Sequence, residues 1–220
     1  MKVLFIGNSY TFFNDMPTLL ETLARENGRE LKADSVTKGG RRLYENLRED
    51  DENGERIKAL AKANEYDALI LQEQSFLALV DYESFLSGIR DLVALVKAKR
   101  NILYATWGRK TGSAKLEELG LTSEEMTNKL TEAYISAAKH VDAEISHVGK
   151  VFLKISQALP TFDIYNPDLS HPSYLGSAVA AICHYRSLFT EMPRSVECFA
   201  LESVPKAELL SLVAEALDEN

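Results

Sequence analysis

The 220 residues are 45% hydrophobic and 26% charged, ordinary values for a globular chain that can bury a full-sized core, and unlike those of a disordered or fibrous protein. A formal net charge of −8 repels nucleic-acid phosphates and anionic lipid head groups, so neither a nucleic-acid nor a membrane partner is expected. The two cysteines, Cys183 and Cys198, form no CxxC pair and lie near no His/Cys cluster with metal spacing, so no metal site is expected.

Residues 2–6 are a near-continuous apolar run, the pattern of a parallel strand covered on both faces. Its apolar part is too short for a signal-peptide core of about 7–15 residues. No run approaches the ~18–20 apolar residues of a membrane span. With this start a cytoplasmic protein is expected, unless a leader was removed from a longer precursor. A helix is predicted over 16–26, with Leu19, Leu20 and Leu23 on one face and Gly28 just beyond it as a stop signal. Strands are predicted over 31–36 and 68–71, the latter again almost wholly apolar. The next helix, 84–97, carries Phe85, Ile89, Leu92, Val93 and Val96 at helical spacing. A strand over 101–106 precedes a helix over 121–140, which opens with the capping-box arrangement Thr122-Ser123-Glu124-Glu125. A strand over 144–147 and helices over 176–189 and 206–217 complete the series.

No repeat, low-complexity tract or Pro/Gly/Ser-rich linker divides the chain, so one domain over 1–220 is expected. Strands alternating with helices imply right-handed βαβ units and a doubly wound, flavodoxin-like, five-stranded parallel sheet. Ligands bind such sheets at the carboxyl ends of the strands, near the switch in strand order. Attention therefore falls on the residues after 6, 36, 71 and 106.

After the first strand comes Gly7-Asn8-Ser9-Tyr10-Thr11, a strand-to-helix turn that exposes a hydroxyl at the sheet edge. The helix beyond it favours developing negative charge at its N-terminus. After the second strand, Gly39-Gly40 lets the backbone turn sharply and bring an N–H close to a ligand. After the third, Gln72-Glu73-Gln74-Ser75 is an abrupt polar switch whose amides can donate to an oxyanion, while Glu73 reads as a solvated turn residue. Far downstream, Asp168 and His171 sit three apart in a proline-flanked loop. That spacing lets the carboxylate bond the imidazole Nδ1–H and leaves Nε2 to accept a proton from a serine.

Gly7-Asn8-Ser9, Gly40, the Gln72 to Ser75 turn and Asp168-x-x-His171 fall in the order of the four blocks of the SGNH/GDSL esterase–lipase superfamily, which the chain resembles over residues 7 to 171. The resemblance implies a three-layer α/β/α fold and hydrolysis of a carboxylic ester without metal or cofactor. It implies Ser9 as nucleophile and Asp168 and His171 as the rest of the triad. It also implies Gly40 as the glycine whose N–H joins that of Ser9 in the oxyanion hole. Two positions depart from the pattern: Asn8 stands where the first block usually has Asp, and Gln74 where the third usually has Asn. Gln72 is a second candidate donor.

The expected substrate is a small ester with a short acyl group, such as an O-acetyl group on a carbohydrate. A thioesterase or lipase, or a non-catalytic carbohydrate- or small-molecule-binding protein on the same fold, remains the alternative. The cations Lys38, Arg41, Arg42, Arg109 and Lys110 read first as a solvated face; the sharper reading is an anionic substrate held by Arg41 or Arg109. Trp107, the single tryptophan, reads equally as core and as a platform for a sugar ring. His140, His147 and His184 read as non-catalytic. Nothing in the sequence sets the oligomeric state.

Overall fold

A computed structural model describes residues 1–48 and 51–219. Its centre is a five-stranded sheet of β1 (Lys2–Gly7), β2 (Lys32–Thr37), β3 (Tyr66–Leu71), β4 (Ala98–Tyr104) and β5 (Glu144–Ser146), all parallel, in the order β2-β1-β3-β4-β5. Alternate residues of each inner strand enter opposite layers. Val3, Phe5, Ala68, Ile70, Ile102 and Tyr104 face one, and Leu4, Ile6, Leu69, Leu71 and Leu103 the other. Burial on both faces is why these strands read as continuous apolar runs. β2 lies at the edge, and in its sequence Lys-Ala-Asp-Ser-Val-Thr only Val36 is buried.

The short helix α1 (Ser9–Phe12) and the helix α2 (Met16–Glu26) follow β1. α3 (Glu52–Ala63) follows β2, and α4 (Leu77–Val80) and α5 (Tyr82–Leu95) follow β3. α6 (Ala114–Leu119) and α7 (Ser123–Val141) follow β4. α8 (Val148–Ala158), α9 (Tyr174–Phe189) and α10 (Lys206–Asp218) come after β5. One layer gathers α2, α8, α9 and α10; the other gathers α3, α5 and α7. The result is the three-layer α/β/α sandwich with a flavodoxin-like sheet. Among the described residues no helix is long and apolar enough to cross a membrane.

The predicted strands occur in the predicted order, and the helix expected over 16–26 is α2. α3 and α8 were not anticipated. α3 buries only Gly54 and Ile57, so it carries almost no apolar stripe. α8 does carry one, with Val148, Val151, Phe152 and Ile155 at i, i+3, i+4 and i+7. The fifth strand also ends earlier than expected, because His147 is the N-cap of α8.

Strand order reverses between β1 and β3, since the chain leaves β1 toward β2 and returns on its other side. The carboxyl ends of β1, β3 and β4 therefore converge on one crevice. A stack of rings props this edge from below: Trp107 lies between Phe152, at 3.9 Å and 8°, and Tyr10, at 4.5 Å and 4°.

Phe152 is fully buried against that stack. Phe152→Ala is expected to lower stability by about 3–5 kcal/mol in urea denaturation. Val80→Ala, at a residue 55% exposed, should change it by less than about 0.5 kcal/mol.

Candidate active site

β1 ends at Gly7, and the chain turns at once into α1. Asn8 caps that helix: its Oδ1 accepts from Tyr10 N at 3.2 Å. Its Nδ2 donates to the Arg41 carbonyl at 2.9 Å. Under the turn lies the buried side chain of Gln72, whose Oε1 accepts from Asn8 N at 2.8 Å and Thr11 Oγ1 at 2.9 Å. A Cβ on Gly7 would stand 2.7 Å from both Gln72 Oε1 and Thr11 Oγ1, so only glycine fits there. Ser9 is the first residue of α1, and its N–H has no helical acceptor.

The loop before α9 reaches back over this turn. His171 Nε2 lies 2.8 Å from Ser9 Oγ, and His171 Nδ1 lies 2.5 Å from Asp168 Oδ2. Asp168 Oδ1 also accepts from the backbone N–H groups of Ser170 at 3.0 Å and His171 at 2.9 Å. Burial alone would raise the Asp168 pKa; the bonds from the His171 ring and from these N–H groups outweigh it and hold the carboxyl below its ordinary value. With Nδ1–H given to that carboxylate, Nε2 is the acceptor facing the Ser9 hydroxyl.

The loop itself is firmly fixed. Asn166 N donates to His171 O at 2.8 Å, Lys110 N to Leu169 O at 2.9 Å, and Trp107 Nε1 to Ser170 O at 3.0 Å. Leu169, between the two key residues, sits at φ +62°, a left-handed conformation that a leucine adopts only under constraint. Phe13 stacks on the His171 ring at 4.3 Å and 11°, and Tyr10 meets its edge at 5.5 Å.

Ser9 and His171 open onto a cavity of about 170 Å³ shared with Asn8, Gly40, Gln74 and Arg109. Gly40 adopts φ +68°, which turns the loop after β2 toward Ser9, and its N–H has no acceptor among the described residues. Gln74 Oε1 accepts from Phe76 N at 3.2 Å, which leaves Nε2 as the free donor of that amide.

Comparison with protein-family models gives no match, and comparison with curated proteins gives none either. Solved structures do match. A protein from Slackia heliotrinireducens assigned as an SGNH hydrolase is 27% identical, with a TM-score of 0.71 over 86% of this chain and 98% of that one. The fold of this chain is that of the SGNH hydrolases. A DUF4886 family protein from Bacteroides uniformis superimposes with a TM-score of 0.80 at 18% identity, over 99% of this chain and 94% of that one. An acetylxylan esterase from Geobacillus stearothermophilus gives a TM-score of 0.59 at 15% identity, over 89% and 97%. The first of these neighbours supports a hydrolase.

Against the superfamily pattern, Asn8 has a physical reason to replace Asp. Its amide accepts from the helix and donates to the Arg41 carbonyl at the same time, and a carboxylate can only accept. Gln72 is not placed to complete an oxyanion hole: its Oε1 supports the Ser9 turn and its Nε2 donates to Glu73 O. Glu73, expected as a solvated turn residue, is instead fully buried. It accepts from Leu43 N at 3.1 Å and Gln74 N at 2.5 Å, so it fastens the Gly40 loop to the end of β3.

Three expected substrate contacts separate as well. Trp107 has no exposed surface, and both of its faces are covered, so it is no sugar platform. Arg41 is committed to its own loop by an ion pair with Asp51 and a bond to Glu45 O at 2.6 Å, and holds nothing in the cavity. Arg109 does line the cavity. His140 is exposed on α7. Burial pushes His147 down to about 4 and His184 down to about 3, so both rings stay neutral, and neither lines the cavity. Phe13, Tyr10 and Ser170, which hold the histidine loop, were not anticipated. Aromatic residues directly after the Gly-Asn-Ser turn were the available signal.

Burial pushes the Glu73 carboxyl up to about 8, against the opposing pull of its N–H donors. Its folded pKa thus exceeds the ordinary carboxyl value. The stability it contributes is complete below about pH 4.5 and is lost as the unfolded chain ionises and pH rises toward 8. The difference in melting temperature between Glu73→Gln and the parent should therefore shift in favour of the variant between pH 5 and pH 8. A constant difference across that range would contradict the assignment.

Proposed function

We propose that the chain is a serine esterase that hydrolyses a short-chain carboxylic ester, such as an O-acetyl group on a carbohydrate or other small molecule, through an acyl-enzyme. The observation that carries this reading is the unbroken relay from Ser9 Oγ to His171 Nε2 and from His171 Nδ1 to Asp168. An ordinary helix-cap serine has no use for such a relay.

In the proposed reaction Ser9 Oγ attacks the ester carbonyl while His171 Nε2 removes its proton. Asp168 holds the ring in the required tautomer and stabilises the imidazolium. The N–H groups of Ser9 and Gly40 and the Gln74 amide converge on the developing oxyanion. Each such donor is worth roughly 3–4 kcal/mol of barrier in comparable sites. His171 then protonates the departing alcohol, and water, activated by the same ring, releases the acid.

The size of the cavity supports a short acyl group: about 170 Å³ with mostly polar walls does not suit a long acyl tail. This disfavours the lipase reading. The acetylxylan esterase among the structural neighbours agrees with an acetyl group on a carbohydrate.

The test is hydrolysis of p-nitrophenyl acetate, butyrate and octanoate. The parent should prefer acetate. Ser9→Ala and His171→Ala should each lower kcat by about 10⁴–10⁶-fold, and the double variant by no more than either alone, since the two act as a unit. Hydrolysis at the parent's rate in both single variants would overturn the triad, and no hydrolysis by any of the three proteins would leave a binding protein on a hydrolase fold.

A further inference from the structure

The strongest unspent interaction at the cavity is a cation. Among the described residues, Arg109 is the only Lys, Arg, Asp or Glu on its wall, in a chain with 33 acidic and 25 basic residues. Two neighbouring loop cations already have carboxylate partners. Arg41 pairs with Asp51, and Lys110 with Asp163 at 2.5 Å. Arg109 has none within ion-pair distance among the described residues. Its Nη2 donates to Ser75 Oγ at 2.9 Å, while its Nε is buried and bonds to nothing. An orphaned buried guanidinium N–H costs stability unless a ligand satisfies it.

The backbone that carries Arg109 is rigid. Gly108 N donates to Thr127 Oγ1 at 2.9 Å, and Lys110 N to Leu169 O at 2.9 Å. Trp107, two residues earlier, is clamped in the ring stack. The guanidinium is thus presented from a fixed base at the carboxyl end of β4, on the same cavity as Ser9. A guanidinium fork matches a carboxylate in shape as well as charge, with two parallel N–H bonds. A neutral sugar hydroxyl would use neither property.

We infer that the ester carries a carboxylate close to its scissile bond and that Arg109 binds it. This rests on the esterase reading and names its substrate class: an O-acylated acid or the half-ester of a diacid. Arg109 sets specificity; the bond-making groups remain Ser9 and His171.

Two matched pairs separate these sources. 4-Acetoxybenzoate against its methyl ester places the charge on the alcohol. Mono-4-nitrophenyl succinate against its methyl ester places it on the acyl group. The parent should favour the anionic member of one pair, and Arg109→Gln should lower the anionic-to-neutral ratio of kcat/KM in that pair by about 10–100-fold, chiefly through KM. Arg109→Lys, which keeps the charge without the fork, should fall between and serves if the glutamine variant does not fold. Calorimetric titration of Ser9→Ala with 4-acetoxybenzoate, mono-4-nitrophenyl succinate and their methyl esters gives a readout free of turnover: the anion should bind more tightly, and the added Arg109→Gln change should erase the difference. Ratios and affinities indifferent to Arg109 in both pairs overturn the inference, while loss of neutral-ester hydrolysis in Ser9→Ala would still uphold the esterase. Hydrolysis unaffected by Ser9→Ala overturns the esterase reading itself.

Discussion

A strand that stops at a sheet edge and turns straight into a helix leaves backbone N–H groups with nothing to bond, and Gln72 Oε1 takes the first of them. By accepting from Asn8 N and Thr11 Oγ1 at once, it ties both sides of the turn to the end of β3. The close approach excludes any side chain at position 7. The N–H left over is that of Ser9, at the first position of α1, where an oxyanion would need a donor. The neighbouring loop joins the same assembly through Asn8 Nδ2 and the Arg41 carbonyl, and through Glu73 and Leu43 N. The Ser9 donor thus sits on a turn already tied to β3, and the Gly40 loop is fastened to it at Arg41 and Leu43, so little reorganisation remains at the moment of reaction.

The histidine arm is positioned by a different kind of contact. Phe13, Tyr10, Trp107 and Phe152 form a run of rings from His171 down into the layer of α8. Stacking sets the plane of the imidazole, and Asp168 sets its rotation about that plane. Tyr10 and Ser170 share a hydrogen bond at 2.8 Å, which closes the loop onto α1. The left-handed Leu169 is the strain that this arrangement sustains: a conformation costing of order 1–3 kcal/mol persists only where the surroundings over-determine it.

What could be read from the sequence was what is local. Gly7-Asn8-Ser9 at a strand end and Asp168-x-x-His171 in a proline-flanked loop each announce a geometry within a few residues, and the periodicities that gave the alternation of strands and helices are equally local. What could not be read was register and partnership. Gln72 and Gln74 both follow β3, and only the turn decides that Gln72 lies under Asn8 while Gln74 reaches the cavity. Arg41 and Arg109 both follow strands, and only Asp51, the cap of a helix with almost no apolar stripe, removes the first from the cavity. Trp107 lies at the ligand edge in sequence, but its covered faces depend on Phe152, about 45 residues downstream in α8, a helix that was not anticipated although its apolar stripe has helical spacing.

The electrostatics of the crevice follow from those placements. A carboxylate on Glu73, beneath the Gly40 loop, would oppose negative charge developing beside Gly40 and Gln74. Burial resists that ionisation and pushes the carboxyl up to about 8. The ionised carboxylate that remains is Asp168, which faces away from the Gly40 donors behind the imidazole, where it stabilises a cation. Arg109 adds positive charge on the cavity wall itself. The chain as a whole is strongly negative, yet at this crevice Glu73 is held toward its neutral form, Asp168 is bound to the histidine, and Arg109, with no carboxylate partner among the described residues, lines the same cavity as the serine. An anion approaching this edge therefore meets a field opposite in sign to the net charge, and that local field, not the total, governs what the site attracts.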